Sequence, residues 1–159
     1  MALLLSSLFG YAQKEDEEVM KATAGKLLQY LAKCDTASIV RLHADNVVSA
    51  IRLYEKENKE WLTRLFGDCK SYQMITKKYG VPKQSSYKIK DESGGYKEME
   101  ITLFDKKDTA LHLTFSKIII DFYPVTIRKP NIIYTYRLEL RSDEPSKIKI
   151  EPLPGIKNN

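Results

Sequence analysis

Apolar residues recur three and four apart up to Phe66 and alternate beyond Tyr87, so the pattern predicts helices first and strands afterwards. Val19, Leu27, Leu28, Leu31 and Ala32 share one face of a first helix, with Gly25 a weak point inside it and Cys34-Asp35 at its end. Asp35 or Thr36 caps a short second helix carrying Ile39, Val40 and Leu42. Asp45-Asn46 breaks the chain, and Val47, Val48, Ile51 and Leu53 fit either a helix or an extended link. Residues 57–66 predict a third helix with Trp61, Leu62, Leu65 and Phe66 inward, stopped by Gly67 because glycine accepts positive φ. For 69–76 a helix and a strand compete, and Gly67 with the Tyr72/Met74 alternation favours the strand.

Four alternating stretches follow, at 87–90, 96–104, 110–120 and 132–141, with short turns at 93–95 and 105–108. Pro124 and Pro130 frame a longer link, and 147–151 reads as a last edge strand stopped by Pro152 and Pro154. Alternation places Met99, Ile101 and Leu103 on one face, as it does Leu111, Leu113 and Phe115, and Tyr134, Tyr136, Leu138 and Leu140. Glu98, Glu100, Thr102, His112, Thr114, Thr135, Arg137, Glu139 and Arg141 fall on the other. One apolar and one polar face per strand describe an antiparallel sheet covered on one side only, by the helices that precede it. The fold class is α+β.

Three helices followed by a long curved antiparallel meander resemble the nuclear-transport-factor-two-like superfamily, which includes ketosteroid isomerases, scytalone dehydratase and many small exported bacterial proteins. In that pattern the helices end at a Gly, matched here by Leu65-Phe66-Gly67, and the sheet wraps them as a cone. The resemblance covers roughly 15–151 and rests on element order and amphipathic faces. It implies a cone-like sheet, an exported member without catalytic activity and, as often in the superfamily, a homodimer through the outer sheet face.

Composition narrows the class. Among 159 residues, 26 Lys+Arg against 21 Asp+Glu leave +5, with 43% hydrophobic residues, the balance of one folded domain. Residues 1–12 carry no charged side chain, and their apolar run 3–9 is too short to span a bilayer. With Gly10 and Ala12 as small residues the run matches a secretory signal cleaved before Gln13, leaving 13–159 as a single exported domain, periplasmic or secreted. The competing reading of 1–12 is an N-terminal helix, since no Lys or Arg follows Met1.

Chemistry is sparse. Two Cys and two His do not make a zinc site at these spacings, and no cofactor or metal is expected. No G-x-S-x-G, phosphate-cradling glycine loop or H-E-x-x-H occurs, so no catalytic residue is assigned. His112 falls on the outer face, and a His43–Asp121 dyad is the one acid–base arrangement to check. Cys34 and Cys69 are either two small buried thiols or, in an exported protein, a disulfide closing a ~35-residue loop and contributing ~3–4 kcal/mol.

Two groups of residues point to binding. Ten Tyr, five Phe and one Trp supply 10% aromatics, and Tyr54, Trp61, Phe115, Tyr134 and Tyr136 are expected to line a site for a small apolar or aromatic ligand. Lys77, Lys78 and Lys83 belong to the stretch 70–90, which holds six Lys, no acidic residue and the interleaved Tyr72, Tyr79 and Tyr87, a pattern of single-strand binders. The absence of Arg there and the expected export favour a solvated edge over nucleic acid. The leading expectation is an exported, non-catalytic binding or interaction module without a membrane span. The alternatives are a small pocket enzyme of isomerase or dehydratase type and an anion-binding domain. A non-catalytic module predicts no inward carboxylate or His within hydrogen-bond reach of another polar group.

Overall fold

The computed structural model describes the backbone of residues 2–57, 59–123 and 132–142, and side chains within 14–52, 59, 61–123 and 132–142. Four helices come first: α1 (Ala2–Lys33), α2 (Thr36–Arg41), α3 (Asp45–Glu57) and α4 (Glu60–Tyr79). Strands β1 (Lys88–Asp91), β2 (Lys97–Phe104), β3 (Phe115–Phe122) and β4 (Thr135–Arg141) follow as one antiparallel meander in the order β1-β2-β3-β4. The link framed by Pro124 and Pro130 and the expected strand at 147–151 lie outside the described residues.

On α1, Met20, Ala24, Leu27, Leu28 and Leu31 are buried, the spacing of one helical face. The helix ends in a Schellman arrangement: Asp35 N donates to Tyr30 O at 3.0 Å and Cys34 N to Leu31 O at 3.2 Å. Cys34 takes the left-handed position, φ 51, where glycine is the usual residue. Asp35 then caps α2 by accepting from Ser38 N at 3.0 Å. The stretch that fitted a helix or a link is the helix α3, with Asp45 in its first turn.

Two expectations about α4 are corrected. The third helix does not stop at Gly67, and 69–76 is not a strand. Leu65, Cys69, Tyr72 and Ile75 are all buried, at intervals of four, three and three, so one helical face runs straight past the glycine. A glycine inside a helix costs about 1 kcal/mol, which burial of four such side chains outweighs. The helix ends instead at Gly80, φ 83. Its last turn is fastened to the loop before β3, where the Asp108 carboxylate takes Lys78 Nζ and the Tyr79 hydroxyl. Asp108 also accepts Ala110 N at 2.8 Å and Leu111 N at 3.0 Å, holding a tight 108–113 turn.

The cone-like sheet and the superfamily resemblance that implied it are corrected as well. Among the described residues the sheet is open, neither curled nor closed, with β1 and β4 outermost. Wrapping a sheet requires strong coiling and repeated bulges. Here the described strands are four to eight residues long, and their registers shift only between Thr102 and Phe104. The segment expected to begin the sheet belongs to α4, which removes a strand from the meander.

Helices α1, α2 and α4 and one sheet face share a single hydrophobic cluster, in which Leu27, Leu31, Ile39, Tyr72 and Ile75 meet Met99, Ile101, Ile118, Ile120 and Phe122. Across the sheet the register aligns Met99, Ile120 and Tyr136, then Ile101, Ile118 and Leu138, on that face. Phe115 belongs to the other face, two residues from Lys117 and opposite Arg141. Its expected face came from counting alternation across 110–115. The 108–113 turn, with His112 at φ 53, interrupts that count, and an odd interruption reverses every later side chain.

The outer face carries a lattice of ion pairs. Lys117 Nζ lies 3.1 Å from Glu100 and 3.6 Å from Glu139. Arg137 reaches Glu98 at 3.3 Å, Asp121 at 3.4 Å and Glu139 at 3.2 Å. Ile119, between Glu100 and Arg137 in register, is 2% exposed, so the stems of these long side chains cover it.

Candidate functional site

Trp61, Arg64, Leu65, Asp68, Cys69 and Tyr72 fall at helical intervals on α4, on the face turned toward β4 and the core. Tyr136 on β4 meets this face. The α2–α3 corner supplies a third side: Ala44 N donates to Ile133 O at 3.0 Å and Ile133 N to Leu42 O at 2.7 Å. These two bonds set His43 beside the strand. Its ring lies 6.0 Å from that of Trp61, edge to face, and 6.0 Å from that of Tyr136.

His43 is 3% exposed, and its Nδ1 donates to Ile39 O at 2.9 Å. Burial, first among the causes, lowers its pKa and keeps the ring neutral at pH 7. With Nδ1 protonated, Nε2 carries the lone pair. Arg64, half exposed, donates from Nη2 to the Tyr136 carbonyl at 3.1 Å and holds Nε 4.0 Å from Asp68 Oδ2. Its side chain thus occupies a main-chain carbonyl of β4.

Asp68 is the most perturbed carboxyl of the cluster. Burial pushes it up to about 6, against the opposing effects of Arg64 and of a hydrogen bond with the Tyr136 hydroxyl. Its Oδ2 is buried without a hydrogen-bond partner. The Tyr136 hydroxyl, 2% exposed as a residue, is held far above its ordinary range by burial and then by the neighbouring Asp68. Asp68 and Tyr136 therefore place an inward carboxylate within hydrogen-bond reach of another polar group. The cluster offers a hydrogen-bond-accepting carboxyl oxygen, a guanidinium and the rings of His43, Trp61 and Tyr136.

Of the five aromatic residues expected to line a site, the structure brings Trp61 and Tyr136 together. Phe115 sits on the outer face, with Lys117 Nζ 5.6 Å from its ring centroid. Tyr134 belongs to another cluster at the end of the sheet, 6.4 Å from Tyr96 and 5.9 Å from Tyr123. The Tyr54 side chain lies outside the described residues. Arg64 and Asp68 carry no local motif; only their helical spacing from Trp61 points to them, and it is visible once α4 continues past Gly67.

His43 and Asp121 do not form a dyad. Asp121 is paired with Arg137 on the outer face, whereas His43 packs on the core side of Tyr136. In the basic stretch, Lys77 and Lys83 are exposed but Lys78 is engaged by Asp108. Tyr72 and Tyr87 are buried, and Tyr79, 40% exposed, stacks on Phe104 at 4.4 Å, so two of the three rings are unavailable for base stacking and the third is already stacked on one side. Cys34 and Cys69 are free thiols. Among the described residues no group of three or more His, Cys, Asp or Glu comes together to hold a metal ion, and no helix is long and apolar enough to cross a membrane.

No protein-family model, no curated protein and no solved structure matches the chain.

Proposed function

We propose that the chain is an exported binding module that takes a small aromatic or apolar ligand bearing a hydrogen-bond donor, at the Trp61–Asp68–Tyr136 cluster. The inward Asp68 beside Tyr136 departs from what a strictly non-catalytic module predicts, and the acid–base alternative below is kept for that reason. The observation that carries this reading is the buried Asp68 Oδ2, which accepts no hydrogen bond although Arg64 Nε lies 4.0 Å away, two turns along α4 from the half-buried Trp61. A ligand donor to that oxygen relieves the cost of a buried acceptor without a partner. Ring contact with Trp61 adds apolar burial. The chain has a single Trp, so its fluorescence reports on the site directly. Indole and aniline absorb and emit where tryptophan does, so benzyl alcohol, a ring with an O–H donor that does not absorb at the red edge where Trp61 is excited, is the probe. Saturable quenching of Trp61 that Asp68→Asn weakens at least tenfold, and Phe115→Ala leaves alone, supports the site. Equal quenching in all three proteins removes it. Export rests on the uncharged apolar run 1–12 and is checked by terminal sequencing of protein from its native source.

A second reading has its own support, the Asp68 carboxyl pushed up to about 6 next to the Tyr136 hydroxyl. A carboxyl poised near neutrality beside a hydroxyl suits proton abstraction next to a carbonyl. Deuterium exchange into cyclohexanone, abolished by Asp68→Asn, separates this acid–base reading from simple binding. The homodimer through the outer sheet face also stays a proposal. Its basic and acidic residues alternate as a two-fold interface needs, although Arg137 and Lys117 already meet acidic partners within the chain. Light scattering at micromolar concentration, repeated with Arg137→Glu, tests it: a monomer from the start, or a dimer untouched by the substitution, sinks it.

A further inference from the structure

We propose that Cys34 and Cys69 are a redox-active thiol pair that closes into a reversible disulfide, locking the end of α1 onto α4. The two residues come from separate elements. Cys34 is the left-handed residue that terminates α1, and Cys69 lies in the middle of α4. Two contacts bring them together. Gln73, one turn beyond Cys69, donates its side-chain Nε2 to Ala32 O at 2.8 Å, tying the last turn of α1 to α4. The Cys34 side chain packs against the hydrophobic cluster that contains Cys69.

The position of Cys34 is unusual for a residue with a side chain. The Schellman bonds from Asp35 N and Cys34 N require φ near +51 there, a conformation that glycine adopts without strain. A residue chosen for helix termination alone would be glycine. A thiol at this point packs instead against the cluster that holds Cys69 of α4.

Exposure divides the two roles. Cys34 is half-buried and reachable, while Cys69 is 0% exposed. The oxidant is a low-molecular-weight disulfide. The Cys34 thiolate attacks one sulfur of it, its S–S bond breaks, and one small thiol leaves. Cys69 then loses its proton to solvent and attacks the Cys34 sulfur of the mixed disulfide. That second bond breaks, the second small thiol leaves, and the protein has given two electrons and two protons to the small disulfide. Burial and the neighbouring Cys34 hold the Cys69 thiol well above its ordinary value, so the second step is the slow one and accelerates as pH rises. Asp68 precedes Cys69, so closure anchors α4 at the turn that carries the Asp68–Tyr136 pair. The thiol chemistry does not depend on what that pair binds.

The test uses the full chain, purified reduced and incubated with oxidised glutathione at neutral and alkaline pH. Intact mass should fall by two hydrogen atoms, and a proteolytic map should contain the peptide joining Cys34 to Cys69. The melting temperature of the oxidised protein should exceed that of the reduced protein by about 10 °C, as expected for a closed loop of this length. Cys34→Gly keeps the left-handed turn and provides a folded control, in which the oxidant should change neither mass nor melting temperature. A lasting glutathione adduct on Cys34 with Cys69 still reduced overturns the proposal. So does a disulfide between two chains, or two thiols that stay reduced throughout.

Discussion

The Tyr136 hydroxyl and the Asp68 carboxyl face each other between β4 and α4, one turn past the point where Arg64 Nη2 reaches the Tyr136 backbone carbonyl at 3.1 Å. One residue of β4 is thereby held twice by one helix, through its main chain and its side chain. The same helix face places the Trp61 ring 6.0 Å from His43. The candidate site is a by-product of how α4 docks on the sheet, and its titration is tied to stability.

Asp68 sets the first expectation. Its carboxyl is raised from 3.8 to about 6, so the folded chain binds this proton more tightly than the unfolded chain does. The associated stability is present at low pH and is lost as pH rises from about 4 to about 6, by about 2–3 kcal/mol. In Asp68→Asn that decline should vanish. Urea unfolding at several pH values between 4 and 8 measures it, and parallel profiles for the two proteins would contradict the assignment.

The two glycines of α4 should respond in opposite directions. At Gly67 an added Cβ meets nothing within 4 Å, and the backbone is helical, so Gly67→Ala should stabilise by about 0.5–1 kcal/mol and raise Tm by about 2–4 °C. Gly80 has φ 83 and ψ 170, a region that side chains rarely enter. Gly80→Ala should destabilise by about 1–3 kcal/mol. Thermal melts of the two variants decide. A loss of stability in Gly67→Ala would restore the glycine as a helix end.

Asp108 is held below the usual carboxylate range, first by the hydrogen bond from Lys78 and then by the Leu111 backbone N–H. A depressed carboxyl contributes stability above its unfolded value of 3.8 that is lost as pH falls through its folded value. Asp108→Ala should lower Tm at pH 7 and flatten the acid limb of the stability profile below pH 4. It also frees Lys78, Tyr79 and two backbone N–H groups, so hydrogen exchange should rise at Ala110 and Leu111. Unchanged exchange there would show that the turn holds without the carboxylate.

The outer-face lattice should matter little to stability. Arg137 touches three carboxylates, yet its side chain is 47% exposed and screened by solvent. Arg137→Ala should cost under about 1 kcal/mol at low salt and close to nothing in about 1 M salt. A larger loss that salt does not reduce would mean that the arginine stem covering Ile119, rather than its charge, is what counts.

The residues that revealed themselves in the sequence did so through local rules. Asp35 as the α2 cap, the apolar face of α1, and the inward Met99, Ile101 and Tyr136 needed only a three-to-four or two-residue period and a capping side chain. These signals depend on neighbours a few positions away, so helices ahead of an antiparallel sheet were legible from the chain alone. The extent of α4, the face of Phe115 and the openness of the sheet were decided by tertiary packing. Burial of Cys69, Tyr72 and Ile75 carries the helix through Gly67 at a cost local propensity counts as a stop. The side chain of Asp108 builds the turn that reverses the count before Phe115. The meeting of Asp68 with Tyr136 joins positions 68 residues apart, and no periodicity reaches that far.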